Sequence, residues 1–131
     1  MSLIATEGAR YSDLVKAEFS PAMAYCIEGV IVNDAAATLE IGAVLGKVTA
    51  TGKYKVSKAD ATDGSEVAAA VVTVKTTVPA TTDTKVVAMV RGPAILAKQA
   101  LVLDATIDTD AEKAAVYAAL AAKGVLVRDA A

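Results

Sequence analysis

From residue 22 onward apolar and polar positions alternate in short runs separated by turn residues, which is the pattern of half-buried β-strands. The stretch 22-AMAYCIEGVIVN-33 reads as a strand bent or bulged at Gly29. The run 34-DAAATLEIG-42 reads as a loop into the next strand. In 47-KVTATGKYKV-56, Val48 alternates with Lys47 and Thr49, and Tyr54 and Val56 alternate with Lys53 and Lys55. That pattern predicts a hairpin with one apolar and one polar face. Its turn centres on Thr51-Gly52, where glycine supplies a positive φ. A polar loop, 57-SKADATDGSE-66, follows with a second turn at Asp63-Gly64.

The next run, 67-VAAAVVTVKTTV-78, is apolar at successive positions and so belongs on both faces of one strand. Such a strand is either central or covered by another subunit. Pro79 ends it. Another strand, 84-TKVVAMVRG-92, closes at Gly92-Pro93, and 94-AILAKQALVL-103 fits either a helical turn or a short strand and bend. A helix is predicted over about 109–123. Thr109 and Glu112 have capping-box spacing, Asp108 and Asp110 suit the positive end of its dipole, and Gly124 provides the stop. The tail 125-VLVR-128 reads as a last strand. The expected fold is thus mostly β, a small barrel or sandwich over residues 22–131, with one C-terminal α-helix.

Residues 1–21 do not share this pattern. Their apolar groups Leu3, Ile4, Tyr11, Leu14, Val15 and Phe19 are scattered among charges and end at Pro21. The principal reading is an extended N-terminal arm, with a first strand of the domain as the alternative. Val15 and Phe19, four apart, also fit a short helix from Ser12.

Composition narrows the picture. The 131 residues suit one domain. Apolar residues make up 55% of them but aromatics only 4%, with 30 alanines and 13 threonines. A core of alanine and valine gains less transfer energy per residue than one of leucine and phenylalanine, so oligomerisation is an expected further source of burial. The net charge of −2, with both signs interspersed, supplies no basic stripe for nucleic acid. No apolar run reaches the ~20 residues of a membrane span. The segment MSLIATEGARYSD lacks the basic region and long apolar run of a secretory leader.

Candidate chemistry is sparse. The chain contains no histidine, the commonest general base and zinc ligand. Its one cysteine, Cys26, lies in the apolar segment 23-MAYCIEGVIV-32 and reads as a buried small hydrophobe. The acids Asp104, Asp108, Asp110 and Glu112 lack the glycine of a calcium loop, and helix capping already explains three of them. Asp60 and Asp63 fall in a turn-rich loop, where aspartate is expected for backbone reasons. Gly42, Gly46 and Gly52 sit at strand ends and a turn, not before a helix, so they form no phosphate cradle. Lys47, Lys53, Lys55 and Lys58 suit a solvated strand face or edge better than a polyanion site. No catalytic, cofactor-binding or metal-binding set is predicted.

Four stretches carry a family resemblance: 45-LGKVTATGKYKV-56, 62-TDGSEVAAAVV-72, 86-VVAMVRGPA-94 and 116-VYAALAAKGVLVR-128. In order and spacing they resemble the lambda-type head decoration proteins of tailed bacteriophages, across residues 22–128. The resemblance implies a β-clip or β-tulip-like fold without enzymatic activity or cofactor. It implies a virion protein made in the host cytoplasm and bound to the outside of the expanded capsid. There it would staple neighbouring major capsid protein subunits against internal DNA pressure, as a homotrimer, with a dimer as the alternative. The family's N-terminal arm orders on the capsid and adds a strand to it. Residues 1–21 match no motif of that arm, so Leu3, Ile4, Tyr11, Leu14, Val15 and Phe19 are assigned to capsid binding by position only. Two other classes compete. An oligomeric β-clip enzyme would need acids converging with phosphate-binding groups. A ligand-binding module would need exposed aromatics, for which only Tyr11, Tyr25, Tyr54 and Tyr117 are present.

Overall fold

The computed structural model describes residues 14–18 and 26–129. These residues form ten strands and one α-helix: β1 (Val15–Glu18), β2 (Ile27–Val32), β3 (Ala37–Leu39), β4 (Val44–Lys47), β5 (Tyr54–Val56), β6 (Ala68–Val72), β7 (Thr76–Val78), β8 (Thr84–Met89), β9 (Ala94–Ala97), α1 (Asp110–Ala122) and β10 (Val125–Arg128). A short 3-10 turn, Lys98–Ala100, follows β9. The mostly β fold with a single late helix is as the pattern predicts.

Five strands close a barrel in the order β2-β5-β4-β6-β8. Its longest ladder pairs β2 with β8 in unbroken antiparallel register from Ile27↔Met89 to Val32↔Thr84. Closure is narrow: β2 meets β5 in parallel at the single pair Val32↔Tyr54, helped by the Asn33 amide donating to the Tyr54 carbonyl. A barrel of so few strands has room inside only for modest side chains. All five strands supply them, including Val30, Val32, Leu45, Val72, Val86 and Ala88. The two-stranded ribbon β3-β7 adds Leu39 and Val78 to this inner core.

A second core lies outside the barrel. Helix α1 contributes Val116 and Leu120, and the three-stranded sheet β1-β9-β10 contributes Leu96 and Val125. From the barrel come Val44, Ala68, Val71 and Met89. Strand β6 therefore serves both cores: Ala70 and Val72 face inward, Ala68 and Val71 outward. A register shift against β4, between Leu45 and Gly46, puts Ala68 and Val71 on one face although they are three apart.

The hairpin, the helix and the last strand stand where the sequence puts them. Gly52 turns the β4–β5 connection at φ +72° and Gly124 ends α1 at φ +85°. The Thr109 side chain accepts from the Glu112 amide, and the Glu112 carboxylate reaches back to the Thr109 amide. Val125–Arg128 pairs in parallel with β9.

Other expectations change. Gly29 makes no bulge: the β2–β8 register runs straight through it, and a Cβ there would lie 2.2 Å from Cε of Lys85, which crosses that position. The loop predicted over 34–42 contains β3. The single strand predicted over 67–78 divides at buried Thr73, whose amide and hydroxyl both donate to the Val87 carbonyl. Its two halves then join different sheets. Its apolar middle, Ala68–Val72, is buried within the chain itself, while Val67 and Val74 on either side of it are exposed. The ambiguous 94–103 stretch is a strand followed by the 3-10 turn.

The N-terminal segment also changes. The short helix considered from Ser12 does not extend over Val15–Glu18, which is a strand paired antiparallel with β9 through Val15↔Leu96 and Glu18↔Ala94; Leu14 just before it is helical, and Ser12 and Phe19 lie outside the described residues. Leu14 is completely buried in the outer core. A free arm ending at residue 21 is therefore too long, because its 14–18 portion belongs to the domain.

Candidate functional surface

Three of the acids singled out in the sequence, Asp63, Asp104 and Glu112, hold local turns. Asp63 accepts from the amide and hydroxyl of Ser65, at 3.0 and 2.5 Å, and pairs with Lys55 at 3.6 Å. The Ser65 side chain and amide, aided by Lys55, hold its carboxyl below the ordinary aspartate value. Its backbone carbonyl receives the Thr49 amide, which ties the 57–66 loop to the hairpin. Asp104 accepts from the amide and hydroxyl of Thr106. Burial alone would push its carboxyl up, but those two bonds together with Lys58 outweigh it and hold it down. Glu112 is lowered by the Thr109 amide and then the Thr109 hydroxyl.

The same holds at the hairpin's far edge. Asp83, from the β7–β8 connection, accepts from Asn33 Nδ2 at 2.8 Å and pairs with Lys53 Nζ at 3.0 Å. The Asn33 bond first, and Lys53 second, lower its carboxyl. Asp34 Oδ2 accepts the Val56 amide. A general acid needs a carboxyl held protonated by its surroundings. At Asp63, Asp83, Asp104 and Glu112 the surroundings do the reverse: they favour the ionised carboxylate as an acceptor for turn and loop donors.

Two of the lysines from the sequence reading, Lys53 and Lys55, are thus paired across the surface, while Lys47 takes part in no ion pair among the described residues. Cys26 is fully buried, with its thiol directed at the Pro93 carbonyl, as a small core residue would be. Of the six residues assigned to capsid binding, Leu3, Ile4, Tyr11 and Phe19 lie outside the described residues. Leu14 and Val15 are not available for it in the way the sequence reading assumed. Leu14 is buried in the outer core, and Val15 is half-buried within β1.

What the geometry defines is a structural module: a narrow barrel with a second core on its flank and polar side chains spent on holding turns. The family model described as Bacteriophage lambda head decoration protein D matches residues 4–125. The chain belongs to that family, and is a structural protein of the phage head. The match begins at residue 4 and so takes in nearly all of the N-terminal segment for which the sequence reading found no motif. No curated protein matches the chain.

Proposed function

We propose that the protein binds the outer surface of the expanded phage capsid and staples neighbouring major capsid protein subunits. The observation that carries this reading is the family match over residues 4–125, coupled to a domain whose buried cores are complete within one chain. A staple needs a rigid body, a peptide that engages the lattice, and repetition. The described domain supplies the rigid body. Residues 1–13 supply the peptide, with Leu3, Ile4 and Tyr11 as pocket fillers, and β1 fixes that peptide to the domain. Extended segments of this kind bind sheet edges through main-chain hydrogen bonds, while alternate side chains fill pockets. A homotrimer supplies repetition, and linking arms through one body raises avidity by roughly 10²–10⁴ per added contact.

The test is co-sedimentation of purified protein with expanded, undecorated capsids, followed by a density map of the decorated particle. The expected result is saturable binding with protein density on the outer surface, in copies clustered around a symmetry axis. Absence of binding, or density inside the shell, would overturn the reading.

A further inference from the structure

Among the described residues, a hollow of about 370 Å³ lies where the end of α1 approaches β4 and β6. Lys47, Thr49, Gly64, Val67, Ala69 and Lys123 line its walls, and buried Ala68 forms its floor. Val67 is 56% exposed, more than any other large apolar side chain described. Neither Lys47 nor Lys123 forms an ion pair among the described residues. A second hollow, beside Asn33 and Thr51, also holds two lysines, Lys53 and Lys55, but each of those has its own aspartate. Lys123 suits the negative end of the α1 dipole. That role requires neither a second lysine nor an exposed valine beside it.

The complementary charge lies at the other end of the helix. Turn 58–60 and turn 104–108 are tied together by the Ala59 amide donating to Thr106 Oγ1 at 3.0 Å. Their exposed carboxylates Asp60 and Asp108, with Asp110 beside them, form no ion pair among the described residues. The 13 residues of α1 separate this end from Lys123 by about 20 Å. One copy therefore does not fill its own hollow with its own acids.

We propose that the Lys47–Lys123 hollow receives the acidic end, around Asp60 and Asp108, of a second copy of this chain. The exposed Val67 packs against the small side chains of that turn, Ala59 and Ala61. The two halves of the contact are different surfaces. No half is left free when the contact forms twice across a two-fold axis or runs head to tail around a closed ring. This assignment rests on the self-association proposed above and names its surface.

The test is sedimentation equilibrium of the full chain at about 0.05 M and 0.5 M salt, with circular dichroism to check folding. Three proteins are compared: wild type, K47E/K123E, and K47E/K123E/D60K/D108K. The expected result is that K47E/K123E stays folded but associates at least ~10-fold more weakly, the fourfold variant regains association, and high salt weakens the wild type. If the wild type is monomeric at every concentration, self-association itself fails and this contact with it. If the wild type associates and K47E/K123E associates equally well, the surface is wrong while self-association stands. Failure of the fourfold variant to recover would overturn the pairing of these two ends.

Discussion

The position of Leu14 divides the N-terminal segment, and two truncations read the division. Removing residues 1–13 keeps Leu14 and β1. Removing residues 1–18 takes both away. The cost of the second cut follows from the structure. Leu14 is completely buried against the outer core, and deleting a large buried aliphatic side chain costs about 2–5 kcal/mol. The β1–β9 ladder over Val15↔Leu96 to Glu18↔Ala94 is also lost, at roughly 0.5–1.5 kcal/mol for each hydrogen bond. The Leu14 side chain alone accounts for about 2–5 kcal/mol, a large part of the ~5–15 kcal/mol that holds a domain of this size. Urea unfolding followed by circular dichroism measures it. The 1–13 deletion should change stability by less than about 1 kcal/mol yet weaken capsid binding strongly, because every arm of an oligomer is lost together. The point variant L14A should destabilise like the longer cut while leaving residues 1–13 in place. A 1–18 deletion as stable as the full chain would refute the structural role of Leu14. A 1–13 deletion that decorates capsids at the wild-type concentration would show that the arm is not the anchor.

Three further outcomes are expected. At Gly46 a Cβ would stand 1.9 Å from the Ser65 carbonyl oxygen, and the 57–66 loop cannot retreat without breaking the Thr49–Asp63 backbone bond; G46A should therefore cost about 2–4 kcal/mol in thermal or urea unfolding, whereas G52A, whose added Cβ would meet only Lys47 Cε at 3.8 Å, should cost about 1 kcal/mol. T109A removes the acceptor for the Glu112 amide at the start of α1, and should cost about 1 kcal/mol by chemical denaturation while leaving the helical circular dichroism signal of the folded state in place. Asp63, Asp83 and Glu112 all have lowered carboxyl pKa values in the folded chain, so their contribution is complete above their ordinary values of 3.8 for Asp and 4.5 for Glu and is lost as pH falls through the lower folded values; thermal midpoints should fall on acidification below about pH 4.5, and D63N should flatten that fall, while an unchanged profile in D63N would count against the Ser65 hydrogen bonds.

Features with a local cause were readable from the sequence. The Thr51-Gly52 turn, the Thr109/Glu112 capping box and the Gly124 stop each depend on residues a few positions apart, and each stands where it was expected. Features set by tertiary packing were not. The break at Thr73 is invisible in a run that is apolar throughout, because β6 is buried on both faces and has no alternation to lose. Leu14 precedes a four-residue strand whose register against β9 shifts between Val15 and Ala17, too short and irregular to show a period. Lys47 and Lys123 are far apart in sequence and share a hollow only because α1 docks beside β6. Lys47 was noticed as one of four hairpin lysines, and Lys123 only as the end of a helix.

The scarcity of aromatics has a different consequence from the one composition suggests. A chain rich in alanine and valine looks short of burial, and a neighbouring subunit is the simplest remedy. The fold finds another. A barrel closed through a single β2–β5 residue pair is narrow enough to be filled mainly by valine and alanine, with Leu45 the one buried leucine from its strands and Leu39 added from β3. The outer face of β6, which would otherwise lie open, is covered by α1 and the β1-β9-β10 sheet, so the same five-residue strand is buried twice over. Small residues are what permit this, since a helix and a sheet can approach the barrel closely only over alanine and valine. Burial within one chain is thereby complete at the strand that most resembled an interface. The association between copies proposed above draws on what remains exposed. The hollow offers an exposed valine and two lysines that form no ion pair among the described residues, so the proposed contact with the acidic end is expected to weaken with salt. The stapling role proposed above calls for a subunit whose cores are complete within one chain and whose contact with other copies uses only its surface.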